Sequence, residues 1–177
     1  GRRSVTRSVL KFSLAQNTVR NSSSRLPLAR ALFDFAAAFP SIGRSFIIAV
    51  MAAAQFPTWI CALAGASWAQ TRIINRDGSV AYPMHSGVSQ GCRAAAVMFI
   101  IGVNPLLVSL GQIISGTRGE VLSAFADDLA VVLADPARLA PVAAEFAKFQ
   151  AASALRLNMS KTVFVPLTSG DPVTAVN

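Results

Sequence analysis

Residues 123–133, SAFADDLAVVL, place two adjacent carboxylates, Asp127 and Asp128, between two apolar runs that each have the length and composition of a buried strand. Such a pair is either a surface hairpin corner or a site. The corner explanation is weak, because Asp-Asp lacks the Asn-Gly or Asp-Gly chemistry of a tight two-residue hairpin. A third carboxylate upstream has the same problem. Asp34 sits in RALFDF (30–35) among Leu32, Phe33, Phe35 and Phe39, where a charged group needs a partner.

The surrounding pattern predicts where these residues meet. RALFDF reads as a buried strand ending near the aspartate. Residues 41–56 read as a helix capped by Ser41 and ended by Pro57, and 59–69 as a further helix. Alternation on both sides of Asp77-Gly78 predicts a hairpin over 71–84. SGVSQGC (86–92) is a glycine-rich turn feeding an apolar helix over 93–110. Residues 119–126 and 129–133 read as two strands joined at the aspartate pair. A helix over 135–157 opens with Asp135 as N-cap and Pro136 at its first position, with Leu139, Val142, Phe146 and Phe149 on one apolar face. Residues 161–167 form the last strand.

The order strand, helices, strand, strand, helix, strand predicts an α+β, ferredoxin-like β-α-β-β-α-β arrangement: an antiparallel sheet with helices on one face. A helical and hairpin insertion follows the first strand. In that topology the first strand lies beside the third, so Asp34 can face Asp127 or Asp128.

Two like charges about 4 Å apart repel by about 4 kcal/mol at an effective dielectric near 20. Three convergent carboxylates therefore call for cations, and no Arg or Lys lies within five residues of Asp127 or Asp128. All-oxygen ligands suit Mg²⁺, and two such ions form the device for in-line phosphoryl transfer.

Composition bounds the alternatives. With 53% hydrophobic and 14% charged residues in 177, the chain is not disordered and is sized for one domain. Its mean hydropathy of +0.51 raises a two-span membrane reading, since 45–71 and 94–117 carry no charge and exceed the roughly 20 residues that span a bilayer. The segments AAAQFPTW and GVNPLL interrupt those runs with polar or helix-breaking residues, which disfavours it. The net charge of +8 is concentrated in residues 1–30, which hold Arg2, Arg3, Arg7, Lys11, Arg20, Arg25 and Arg30 and no acid. That arm suits phosphate contacts, an organelle transit peptide or a solvated tail. Cys61 and Cys92 make no disulfide framework and lack metal-ligand spacing, which fits a reducing, intracellular setting.

Four blocks in order, LFDFAAAFPSI, GVSQGC with FIIGVNPLL, AFADDLAVVL and LNMSKTVFV, resemble the palm of reverse transcriptases, most closely those of non-LTR (LINE-type) retrotransposons. The resemblance covers about residues 30–167. It implies an RNA-directed DNA polymerase that uses two Mg²⁺ or Mn²⁺ ions to join dNTPs to a DNA primer on an RNA template. By the resemblance, Asp34, Asp127 and Asp128 hold metal, and the Phe35 carbonyl adds an oxygen. Phe39 walls off a nucleotide 2′-OH, although from the residues alone it is a plain core aromatic. Gln90 and Gly91 line the template and incoming-nucleotide pocket, and Lys161 approaches the phosphates. A nuclear location is implied by family.

The match departs in detail: Phe125 stands where the family has Tyr, RAAA (93–96) replaces a Pro-Leu-Ser-type segment, and Ser89 replaces a proline. The expected division is residues 1–29 as a basic arm or stub of fingers, 30–168 as the palm and 169–177 as a tail. The chain then reads as an isolated palm with a stub of fingers, which extends primers poorly or not at all by itself. The competing reading is a non-catalytic interaction subunit that reuses the palm.

Overall fold

The computed structural model describes residues 29–69, 71–89, 92–114 and 120–166. Along the described chain the elements are β1 Ala29–Phe33, α1 Ala38–Ser41, α2 Arg44–Ala53, α3 Thr58–Ala69, β2 Arg72–Ile74, β3 Val80–Pro83, α4 Ala95–Ile114, β4 Val121–Phe125, β5 Asp128–Leu133, a 3₁₀ turn Pro136–Arg138, α5 Leu139–Ser153 and β6 Val163–Pro166. The described residues fall into two compact units, one of 29–35, 106–114, 120–148 and 157–166, the other of 36–69, 71–89, 92–105 and 149–156.

The first unit is built on a four-stranded antiparallel sheet in the order β4-β5-β1-β6, the predicted placement of the first strand beside the third. Burial alternates along β1 and the start of β5. Ala31, Phe33 and Phe35 are buried while Leu32 and Asp34 are only half-buried, and buried Val131 and Leu129 pair with Ala31 and Phe33. Phe33 anchors that face, its ring centroid 4.5 Å from Phe146 of α5 and 6.1 Å from Phe164 of β6. Beside the sheet, Glu120 has a fully buried side chain. Its Oε1 accepts from the Ala134 N–H (3.0 Å) and faces Arg138 Nε at 3.3 Å, while Arg138 also donates to the Ile113 carbonyl.

Several boundaries differ from the sequence expectation. Ser41 is not a helix cap: it ends the one-turn α1, and α2 starts after an extended Gly43 that offers no side-chain cap. The helix expected to reach Leu157 stops at Ser153. There the Ser153 hydroxyl donates to the Phe149 carbonyl (2.7 Å) and accepts from the Leu155 N–H (3.1 Å), and Ala154 turns to φ +63°. Asp135 caps as expected, accepting from the Ala137 N–H (2.9 Å), but it caps the 3₁₀ turn that precedes α5.

The second unit packs α2 against α4 through fully buried Ile42, Ile47, Met51 and Phe99. Phe39 stacks on Phe99 at 4.6 Å. Gly102 permits this closeness, since a Cβ there would lie 2.5 Å from Ile42 Cδ1. Gly87 is required more strictly: it has φ +73°, and a Cβ would lie 2.3 Å from the Pro40 carbonyl carbon. The predicted hairpin forms as β2 and β3, closed by Asn75 and Ser79 around Asp77-Gly78.

Arg44 ties the base of that hairpin. Its Nε donates to the Gly87 carbonyl (2.8 Å), and Nη1 donates to the carbonyls of Trp68 (3.0 Å) and Met84 (2.6 Å). Desolvation by burial lowers its pKa from the ordinary arginine value, although a guanidinium keeps its charge at neutral pH.

The apolar run 45–71 is divided between α2 and α3, neither long enough to cross a bilayer. Among the described residues one helix, α4, is long and apolar enough to do so by length and composition.

Candidate polymerase site

The site is assembled by sheet register. β1 and β5 pair as far as Phe33 with Leu129, and the residue beyond each is an aspartate, Asp34 on one strand and Asp128 on the other. Paired residues of an antiparallel ladder share a face, and successive residues alternate. Asp34 and Asp128 therefore follow the buried Phe33–Leu129 pair onto the opposite face, the one away from Phe146. Leu32, Ala130 and Ser123 continue this row along the sheet, and Val132 further along it is fully buried.

Asp127 reaches the same end by a different route. The closing pair of the β4–β5 hairpin is Phe125 with Asp128, so the two turn residues are Ala126 and Asp127. The expectation of a turn at the aspartate pair is thus off by one residue. Ala126 takes φ +54°, a left-handed conformation that costs an L-residue about 1–2 kcal/mol. The ladder of five residue pairs on either side fixes the turn and overrides local preference.

Phe35 continues beyond β1 as an isolated bridge to Leu157. Its ring is buried, 6.1 Å from Phe146. The bridge is made by flanking groups, Ala36 N–H to the Arg156 carbonyl and Asn158 N–H to the Asp34 carbonyl, both 2.8 Å, so it does not use the Phe35 carbonyl.

Lys161 also comes to this end: its Nζ lies 3.8 Å from Asp34 Oδ2, with the lysine largely exposed and the aspartate partly covered. Asn158 organises that approach. Its carbonyl accepts from the N–H groups of Lys161 (3.1 Å) and Thr162 (2.9 Å) and from the Thr162 hydroxyl (2.9 Å). The sequence signal for Asn158 is slight: in LNMSKT it stands as one polar loop residue, and the role lies in its main-chain carbonyl.

Sheet pairing thus brings Asp34, Asp128 and Asp127 to one end, with Lys161 beside Asp34. Among the described residues no three His, Cys, Asp or Glu side chains are drawn together closely enough to cage an ion. The donor set fits Mg²⁺ or Mn²⁺ in kind, being all oxygen, with Asp34 just past the end of β1, Asp128 opening β5 and Asp127 in the adjoining turn, and with the Asp34 carboxylate facing an ammonium. Phe39 belongs to the second unit, where it is half-buried on Phe99 and its carbonyl accepts from the Val88 N–H (2.8 Å). Gln90 and Gly91 lie outside the described residues.

An antiparallel sheet in this strand order, with helices on one face and acidic residues at one strand end, defines a polymerase palm-like α+β fold. Residues 7–170 match the reverse transcriptase (RNA-dependent DNA polymerase) family, and the chain belongs to it. Its fold is similar to that of apo telomerase from Candida tropicalis truncated of its C-terminal domain (TM-score 0.73, 15% identity, 99% of this chain and 38% of that one). It is also similar to telomerase from Candida albicans in complex with a TWJ fragment of telomeric RNA (TM-score 0.70, 14% identity, 97% of this chain and 32% of that one). The chain thus spans about a third of the length of these structures. A search of curated proteins gives no match.

Proposed function

We propose that the chain is the palm of an RNA-directed DNA polymerase of non-LTR (LINE-type) retrotransposon character, extending a DNA primer on an RNA template with dNTPs. The observation that carries this reading is the β1–β5 register, which puts Asp34 and Asp128 next along paired strands, with Asp127 in the adjoining turn. Asp34, Asp127 and Asp128 would hold two Mg²⁺ or Mn²⁺ ions, with the Phe35 carbonyl as a further oxygen. Bound there, the ions supply acidification of the primer 3′-OH and charge neutralisation at the leaving pyrophosphate. The chain's own part is positioning: the sheet fixes the carboxylates, Asn158 fixes the loop of Lys161, and Lys161 meets phosphate oxygens. Phe39, Gln90 and Gly91 shape the nucleotide and template pocket by the family resemblance. The Arg-rich residues 1–30 are assigned to phosphate contact or to organelle targeting, and a nuclear location follows from the non-LTR assignment.

The test is primer extension on an RNA template with Mn²⁺, using the chain alone and supplemented with separately expressed fingers and thumb segments of a non-LTR enzyme. Supplemented extension that disappears in Asp34→Ala and Asp127→Ala supports the reading. Extension indifferent to both substitutions overturns it.

One observation favours a second reading, a palm used for docking. The second unit exposes Trp59 (68%), Leu63 (62%), Ile74 (63%) and Tyr82 (59%), and α3 buries only Ala64. A partner retained by Asp34→Ala and Asp127→Ala, with no polymerase activity in the parent chain, would select it.

A further inference from the structure

A pocket of about 450 Å³ lies wholly within the second unit, between the start of α2, the end of α3 and the base of the β2–β3 hairpin. None of the residues assigned above to the polymerase site lines it. Its charged and titratable lining is all basic or neutral: Arg44, Arg72 and His85, with no carboxylate. The nearest acid in sequence, Asp77, accepts from both the N–H and the hydroxyl of Ser79.

Arg44 is the informative residue. Its Nε and Nη1 are spent on three backbone carbonyls, which hold the guanidinium in place. Its Nη2 is buried and has no hydrogen-bond partner among the described residues. Held by those three carbonyls, the guanidinium is a fixed positive charge in the pocket wall, suited to an anionic group. The rest of the wall is of another kind. Trp68, Met84 and Pro83 line it, and the Trp68 ring lies 5.8 Å from the Arg44 guanidinium carbon. An aromatic face beside a fixed cation is the combination that takes a nucleobase and its phosphate together. The volume lies within the range of small-ligand pockets.

We propose that this pocket binds one nucleotide unit, its phosphate at Arg44, Arg72 and His85 and its base against Trp68. The nucleotide is either free or an unpaired residue of an RNA strand. The inference goes beyond the polymerase reading and does not depend on it.

Trp59→Phe in the full chain leaves Trp68 as the sole tryptophan reporter. That variant is titrated with AMP, with inorganic phosphate and with a short single-stranded RNA, following Trp68 emission. A saturable change with AMP, weakened about tenfold by Arg72→Ala and further by His85→Ala, supports a free-nucleotide site. The same pattern with RNA but not AMP supports an unpaired strand residue. Both substituted side chains are exposed, and circular dichroism confirms that the variants are folded. No response to either nucleotide in folded protein overturns the proposal, as does a response that survives both substitutions. Equal response to inorganic phosphate overturns the base contact. Asp34→Ala leaves the titration unchanged, so failure here is distinguishable from failure of the polymerase reading.

Discussion

Lys161 holds its ammonium 3.8 Å from the Asp34 carboxylate, where a divalent ion would otherwise supply the positive charge. The lysine is largely exposed although the aspartate is partly covered, so solvent screening keeps the pair's own stability small, about 0.2–1 kcal/mol. Lys161→Ala is therefore expected to leave the fold intact and to tighten Mn²⁺ binding by up to about fivefold. Asp34→Asn is expected to weaken it by more than about tenfold, the loss of one charged ligand. Calorimetric titration of Mn²⁺ into the three proteins checks both signs.

Gly87→Ala is expected to be among the most damaging single-methyl additions. The new Cβ meets the Pro40 backbone at 2.3 Å in a left-handed conformation, and a loss of about 2–4 kcal/mol follows. Gly65→Ala is the control. It lies inside α3 with nothing within 4 Å of the added methyl, so stability rises by about 0.5–1 kcal/mol. Urea midpoints at constant m distinguish the two.

Arg44→Met keeps the stem and removes the donors that hold the Trp68, Met84 and Gly87 carbonyls. We expect a loss of about 2–4 kcal/mol. Amide exchange should become fast in the β2–β3 hairpin before the rest of the chain, because a two-stranded ribbon does not hold itself together.

Glu120→Ala strips an acceptor from the Ala134 N–H and leaves Arg138 without its carboxylate. The carboxylate is fully buried but the arginine is partly exposed, so the expected cost is about 2–3 kcal/mol. Thermal unfolding followed by circular dichroism reads it. Glu120→Gln, which keeps one acceptor oxygen, should lose less.

The Ser79 hydroxyl, and after it the Ser79 N–H, hold the Asp77 carboxyl below the usual carboxylate range. A lowered folded pKa means that the contribution to hairpin order is complete above the ordinary value of about 3.9 and is lost as pH falls through the lower folded value. Between pH 7 and pH 5 the hairpin should not change. Carboxyl-carbon NMR should show Asp77 titrating low in the parent chain and closer to the ordinary value in Ser79→Ala.

The sequence carried the strand order, the Asp77-Gly78 hairpin and the capping role of Asp135, because each rests on local chemistry or on period-two alternation. The carboxylates at 34, 127 and 128 were legible as misfits in apolar surroundings. The turn at Ala126–Asp127 was not legible: local preference points to the aspartates, and only strand pairing displaces the corner by one residue. The end of α5 at Ser153 depends on a buried hydroxyl serving both as donor and acceptor, and serine is an ordinary helix residue by pattern. Arg44 acts through carbonyls 24 to 43 residues away, which no spacing rule exposes, while Asn158 acts through its own carbonyl on the next turn, a role its residue type does not signal. Arg44 could have been suspected as the sole charge heading the long neutral stretch 45–71.

The parity of the ladder has a consequence for how this segment tolerates change in length. Deleting or inserting one codon within 128–133 would exchange the roles of Asp128 and Leu129, driving an acid inward and a leucine out. Point substitutions at the tip leave the parity of the ladder intact, but a single-residue frame slip would displace the acidic end and spoil the hydrophobic interior together.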